Sequence, residues 1–121
     1  MWYKRKDRYF RGKRDKNKKT GEEYTHPNYI IGREGNYYYS IGLTSKNKKG
    51  KHHSNYKLHR NANLYPKPDE PDVSYMRKQI NYQPIYRYTK EIWKDYEMPK
   101  EDEPYVDYLI EKAKNKSKKH K

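Results

Sequence analysis

Apolar and polar positions alternate with a period of two over the middle of the chain, the mark of strands that bury one face. Asn28-Tyr29-Ile30-Ile31-Gly32-Arg33, a turn pair Glu34-Gly35, and Asn36-Tyr37-Tyr38-Tyr39-Ser40-Ile41-Gly42-Leu43 predict a β-hairpin. On its second strand Tyr37, Tyr39, Ile41 and Leu43 are expected on the core face, and Tyr38, Ser40, Gly42 and Thr44 on the open face. A short strand is expected over 55–60, where Tyr56 and Leu58 alternate with Asn55, Lys57 and His59. Pro66, Pro68 and Pro71, set among Asp69, Glu70 and Asp72, then enforce an extended loop. Residues 73–80 read as a strand with Met76 and Ile80 on one side and Tyr75 and Arg77 on the other, and 85–89 as a further strand.

The pattern changes period near the end. Val106, Leu109, Ile110 and Ala113 fall at i, i+3, i+4 and i+7, one apolar stripe of a helix opened by Glu103-Pro104 and closed by Lys112, Lys114 and Lys116. The first 23 residues show no period. They are expected to be a basic, disordered tail, residues 24–116 a single domain, and 117–121 a second basic tail.

Composition sharpens this picture. Leu, Ile, Val and Phe together number only 14, while 16 Tyr and 2 Trp can build a small aromatic core. The absence of cysteine excludes disulfides and thiolate metal sites. No apolar run is long enough for a membrane span and Met1 leads into charges, so a cytoplasmic protein without membrane contact is expected. The formal net charge of +14 points to nucleic acid as the partner. Candidate backbone contacts are Lys4, Arg5, Arg8, Arg11, Lys13 and Arg14 in the tail, Lys46, Lys48, Lys49, Lys51 and His52 in the loop over 45–54, and Lys57 and His59 after it. Tyr38 is the exposed ring best placed to stack on a base, and about two-thirds of the tyrosines are assigned to structure.

Three groups can carry chemistry. His52 and His53 can act as general base and acid in metal-free RNA cleavage, or serve as solvated polar residues of a Lys-rich loop. Arg77, sharing a face with Tyr75, can stabilise a phosphorane-like transition state, or pair with a carboxylate across the sheet. Thr44, where the hairpin enters the basic loop, can hydrogen-bond a phosphate or simply end its strand. The acids Asp95, Glu97, Glu101, Asp102, Glu103 and Asp107 match no metal loop and read as a solvated helix start. No metal or other cofactor is expected.

The order His26-Pro27, a strand ending at Gly32, Tyr37 through Ser45, a Lys/Gly loop, Asn55-x-x-Leu58-x-x-Asn61-x-Asn63 and Ser74-Tyr75-x-Arg77 resembles the barnase/EndoU/colicin/RelE-like ribonuclease superfamily, in its small basic bacterial and phage-associated members. The resemblance covers about residues 26–112. It implies an α+β fold, a twisted antiparallel sheet with a helix packed on one face and RNA on the other. It also implies metal-independent cleavage to a 2′,3′-cyclic phosphate. By position the active residues would be Thr44, Ser74, Tyr75 and Arg77, with His53 or His59 moving the proton and His26 in reserve. A toxin-like or phage-derived endoribonuclease, with an acidic antitoxin-like protein as a partner, is one expectation. A non-enzymatic RNA- or DNA-binding module, or a phage inhibitor gripping a ribonucleoprotein, is the other.

Overall fold

A five-stranded antiparallel sheet in the order β1-β2-β3-β5-β4 carries one helix, so the chain is α+β with the helix packed against the sheet. The strands are β1 Tyr9–Lys16, β2 Glu23–Glu34, β3 Tyr37–Thr44, β4 Tyr56–Lys57 and β5 Tyr75–Pro84, and the helix α1 is Glu103–Lys119. The computed structural model describes residues 1–45, 55–70 and 73–119, the side chains of 117–119 excepted. The loop candidates Lys46, Lys48, Lys49, Lys51, His52 and His53 lie outside the described residues.

One face of the sheet buries Phe10, Tyr29, Ile31, Ile41, Leu43 and Met76 under Val106, Leu109 and Ile110 of α1. The helical stripe therefore docks as its spacing predicts. Leu109→Ala should cost about 2–4 kcal/mol, the range for a buried leucine truncation, and chemical denaturation measures it directly; a loss below about 0.5 kcal/mol would mean that the stripe contributes no packing. The helix start is pinned from two strands. Tyr29 of β2 donates its hydroxyl to Glu103, and Tyr56 of β4 donates to Asp102 Oδ1 at 2.8 Å. Asp102 is fully buried and Glu103 nearly so, so this is no solvated helix start. Burial and the bond to Asp102 push the Tyr56 phenol up to about 12.

The first 23 residues are not a tail. All eight residues of β1 pair with β2, from Tyr9 opposite Ile30 to Lys16 opposite Glu23, and Phe10 is in the core. This strand carries no aliphatic residue because its core side offers only Phe10 and Gly12, and a Cβ on Gly12 would lie 2.3 Å from the Trp93 ring. Its outer edge is bonded by the chain itself. Thr89 N–H donates to the Gly12 carbonyl and Trp93 N–H to that of Phe10, both at 2.8 Å.

The residues after Pro84 form a 3-10 turn, Ile85–Arg87, rather than the expected strand. Proline offers no amide to extend a ladder, and the chain instead folds back over the second face of the sheet. There Tyr88 meets Tyr38 edge-on at 5.2 Å, and its hydroxyl lies 2.7 Å from Ser40 Oγ. Tyr38 is 5% exposed, so the ring expected to stack on a base is itself covered. With Ile30 and Tyr88 it forms a second small core.

Candidate functional site

This cover spans the Ile30, Tyr38 and Tyr88 part of the second face. Outside it lies a cleft of 530 Å³ whose walls include Lys13, Tyr24, His26, Asn28, Arg77 and Asn81. The strand register builds it. Lys13 stands directly opposite His26 and Asn28 opposite Gly42, so their side chains emerge together on this face. Gly42 forms part of the floor: a Cβ there would touch Arg77 Cδ at 3.4 Å and Arg77 Nε at 3.7 Å, ordinary contact distances, so the arginine lies across β3 where a side chain branching beyond Cβ would meet it. Asn28, 2% exposed, accepts from Ser40 Oγ at 3.0 Å and donates to the Pro27 carbonyl at 3.2 Å, which fixes its amide in the floor.

The cleft is cationic. Lys13, Lys16, Lys18 and Arg77 line it against one acid, Asp15, which sits 3.7 Å from Lys13 Nζ and 3.6 Å from Arg87. Arg77 makes no ion pair among the described residues, so no carboxylate there holds it across the sheet. Tyr24 meets His26 edge-on at 4.6 Å. Desolvation, reinforced by the positive charges of Arg77 and Lys13 and opposed by Asp15, holds the His26 imidazole below its ordinary value of 6.5. The ring is therefore neutral near pH 7 and able to accept a proton.

This shift can be read by NMR. The His26 ring protons should titrate with a midpoint below 6.5, Lys13→Met should raise it, and Asp15→Asn should lower it further. Because the unfolded chain binds this proton more readily, the stability linked to His26 is intact above about pH 6.5 and is lost as pH falls toward the folded midpoint. A midpoint at or above 6.5 would contradict the desolvated, cation-flanked position.

The other residues singled out from sequence fall in several places. Tyr75 and Arg77 flank the buried Met76 and share the open face, although Tyr75 stands outside the cleft. Thr44 and Ser74 line a second cavity that meets the first at His26. The Ser74 hydroxyl is engaged, donating to Asn61 Oδ1 at 2.7 Å and accepting from Ala62 N–H at 3.1 Å, so it is a brace for that loop rather than a reactive group. His59 is held to Asp102 through both Nδ1, at 2.6 Å, and its backbone amide, at 2.9 Å, away from the cleft. Lys57 is exposed on β4.

The N-terminal arginines bond to other parts of the chain, Arg8 in the interior and Arg5 and Arg14 at the surface. Arg8, 4% exposed at its side chain, pairs with Glu103 and with Asp107 Oδ1 at 2.8 Å, and Arg5 pairs with Asp107 from outside. Burial opposes the Asp107 charge, but hydrogen bonds from Arg5 and Arg8 outweigh it and keep the carboxyl below its usual range. Arg11 donates to the carbonyls of Thr89 and Lys90, and Arg14 to that of Tyr86 at 2.9 Å. Of the six N-terminal cations expected to meet nucleic acid, Lys13 alone lines the cleft, and Lys4, Arg5 and Arg14 are exposed outside it.

His26 is the histidine brought to Arg77, and Tyr24, Asn28, Gly42 and Asn81 complete its surroundings without having been singled out as a site. One signal for them was available: asparagine is disfavoured in strands, yet Asn28 directly precedes the aromatic-aliphatic run of β2. No family model, curated protein or solved structure matches the chain.

Proposed function

We propose that the protein is a metal-independent endoribonuclease whose reaction takes place in the cleft of the open sheet face. The observation that carries this reading is the convergence in one cleft of a neutral histidine, His26, a lysine, Lys13, and Arg77, which makes no ion pair among the described residues. In such a site Arg77 and Lys13 hold the non-bridging oxygens of a phosphodiester and stabilise the added charge of the transition state. His26 takes the proton of the adjacent 2′-hydroxyl, whose oxygen attacks phosphorus while the bond to the 5′-oxygen breaks. The departing oxygen takes a proton from the same cleft, where Tyr24 and Lys13 carry one. The products are a 2′,3′-cyclic phosphate and a 5′-hydroxyl. The net charge of +14 supplies the sequence-independent affinity for the backbone.

The resemblance to the barnase/EndoU/colicin/RelE-like superfamily supports the same chemistry and an RNA-facing sheet, with His26 in place of His53 or His59 as the proton acceptor. The test is incubation of purified protein with total RNA in EDTA, followed by mapping of the new ends. Cyclic phosphate ends that persist in EDTA are the expected result. Tight RNA binding with every substrate intact, with or without magnesium, would leave only a binding module.

A further inference from the structure

Beside the cleft, and sharing His26 with it, lies a smaller cavity of 390 Å³, within the roughly 300–1,000 Å³ range of small-ligand sites. Its character is different. Where the cleft is cationic, this cavity is lined by the amides of Asn61 and Asn63, the hydroxyls of Thr44 and Ser45, the Tyr96 ring and apolar side chains such as Val73. Among the described residues its lining carries one acid, Glu70, and no Lys or Arg. Among the described residues a phosphate would meet the Glu70 carboxylate and no counter-charge, whereas a flat heterocycle with polar edges would find apolar walls and hydrogen-bonding groups, the Glu70 acceptor among them.

The two amides are held rigidly. Asn61 Oδ1 accepts from Ser74 Oγ at 2.7 Å and from Asn63 N–H at 3.0 Å, and Asn63 Oδ1 accepts from Tyr65 N–H at 3.0 Å. With both oxygens committed to the loop, the nitrogens are the donor ends of both amides. The loop is in turn fixed to the chain before α1 by the bridge between Asn63 and Tyr96 and by Glu97 N–H on the Ala62 carbonyl at 2.9 Å. Preorganised donors of this kind discriminate between bases because a mismatched edge leaves them unpaired.

We infer that this cavity is a nucleobase subsite: it holds one base next to the phosphate seated at His26 and Arg77, and it gives the protein a base preference through Asn61, Asn63 and Tyr96. The inference rests on the proposed RNA cleavage for its place in the reaction, yet base binding can be measured without turnover.

The probes are the four nucleoside 3′-monophosphates, titrated into the full chain and followed by NMR shifts of the Asn61 and Asn63 side-chain amides. One of the four should bind at least tenfold more tightly than the weakest, and Asn63→Ala should remove most of that difference while leaving the shared, weaker affinity for phosphate. Asn63→Asp, similar in size but without the donor, controls for misfolding and should also lose the preference with an unchanged melting temperature. Cleavage of a random RNA pool should show the same base beside the cut, and the Asn63 variants should cut with that preference flattened. Equal binding of all four nucleotides, shifts confined to the cleft, or a preference untouched by Asn63→Ala would each overturn the subsite. A protein that shows the base preference but cleaves nothing would overturn the proposed enzyme and keep the subsite.

Discussion

Arg77→Ala should lower RNA cleavage by about 100-fold or more, the scale of losing a preorganised charge partner of the transition state, while changing RNA affinity by less than about threefold, since one phosphate contact among many carries little of the binding. The split between rate and affinity is what identifies the residue. An arginine that merely gripped the backbone would weaken binding and cleavage together. His26→Gln should reduce the rate at least as much and abolish the acidic limb of the pH profile, which in the wild type should fall below pH 6.5 because desolvation and its cationic neighbours depress that imidazole. Gly42→Val offers a third approach to the same site: its side chain would occupy the space over which Arg77 lies, so cleavage should fall without any change to a reacting group. Full activity in Arg77→Ala would remove the cleft from the chemistry.

Arg8→Met should cost about 3–5 kcal/mol, the range for breaking a buried ion pair from one side. That is a large part of the 5–15 kcal/mol by which domains of this kind are stable. The reason is that Glu103 remains buried without its paired guanidinium, left with the Tyr29 hydroxyl and the more distant charge of Arg5. Deleting residues 1–22 goes further, removing β1, Phe10 and Arg8 at once, and should abolish cooperative melting. A truncated chain that melts cooperatively at an unchanged temperature would contradict the strand pairing of β1. Weakening of the network by acid should follow the same logic. Asp107 is held below its usual range by Arg5 and Arg8, so its contribution is present above an ordinary carboxylate value and is lost as pH falls through the lowered one.

The hairpin, the helix and the face assignment of β5 were legible because each rests on a strict period of apolar residues. Met76 enters the core and Arg77 the open face as alternation requires. The first strand was not legible, because a residue such as Arg11 stabilises it through carbonyl contacts made by a segment almost 80 positions away, which no local pattern encodes. Tyr38 misled for a related reason: alternation tells which residues share a face but not whether a distant tyrosine, Tyr88, will close over them. At the site, Arg77 was readable from its strand. His26 remained a reserve because β2 begins at Glu23, earlier than its aliphatic run suggests, and only that extension sets the imidazole opposite Lys13.

The segment bonded along the outer edge of β1 has a consequence for how the protein behaves in concentrated solution. A sheet normally ends in a row of open amides and carbonyls that a second molecule can extend. Here the carbonyls of Phe10 and Gly12, which would begin such an extension, are already occupied by Trp93 and Thr89. At the opposite border, among the described residues, β4 contributes two residues, one of them the exposed Lys57, a short and charged template for a neighbour's strand. The outer edge of this tyrosine-rich sheet is thus closed by the chain's own connecting segment, and loosening residues 89–93 should open it to a neighbour's strand, read as a rise in light scattering and thioflavin fluorescence.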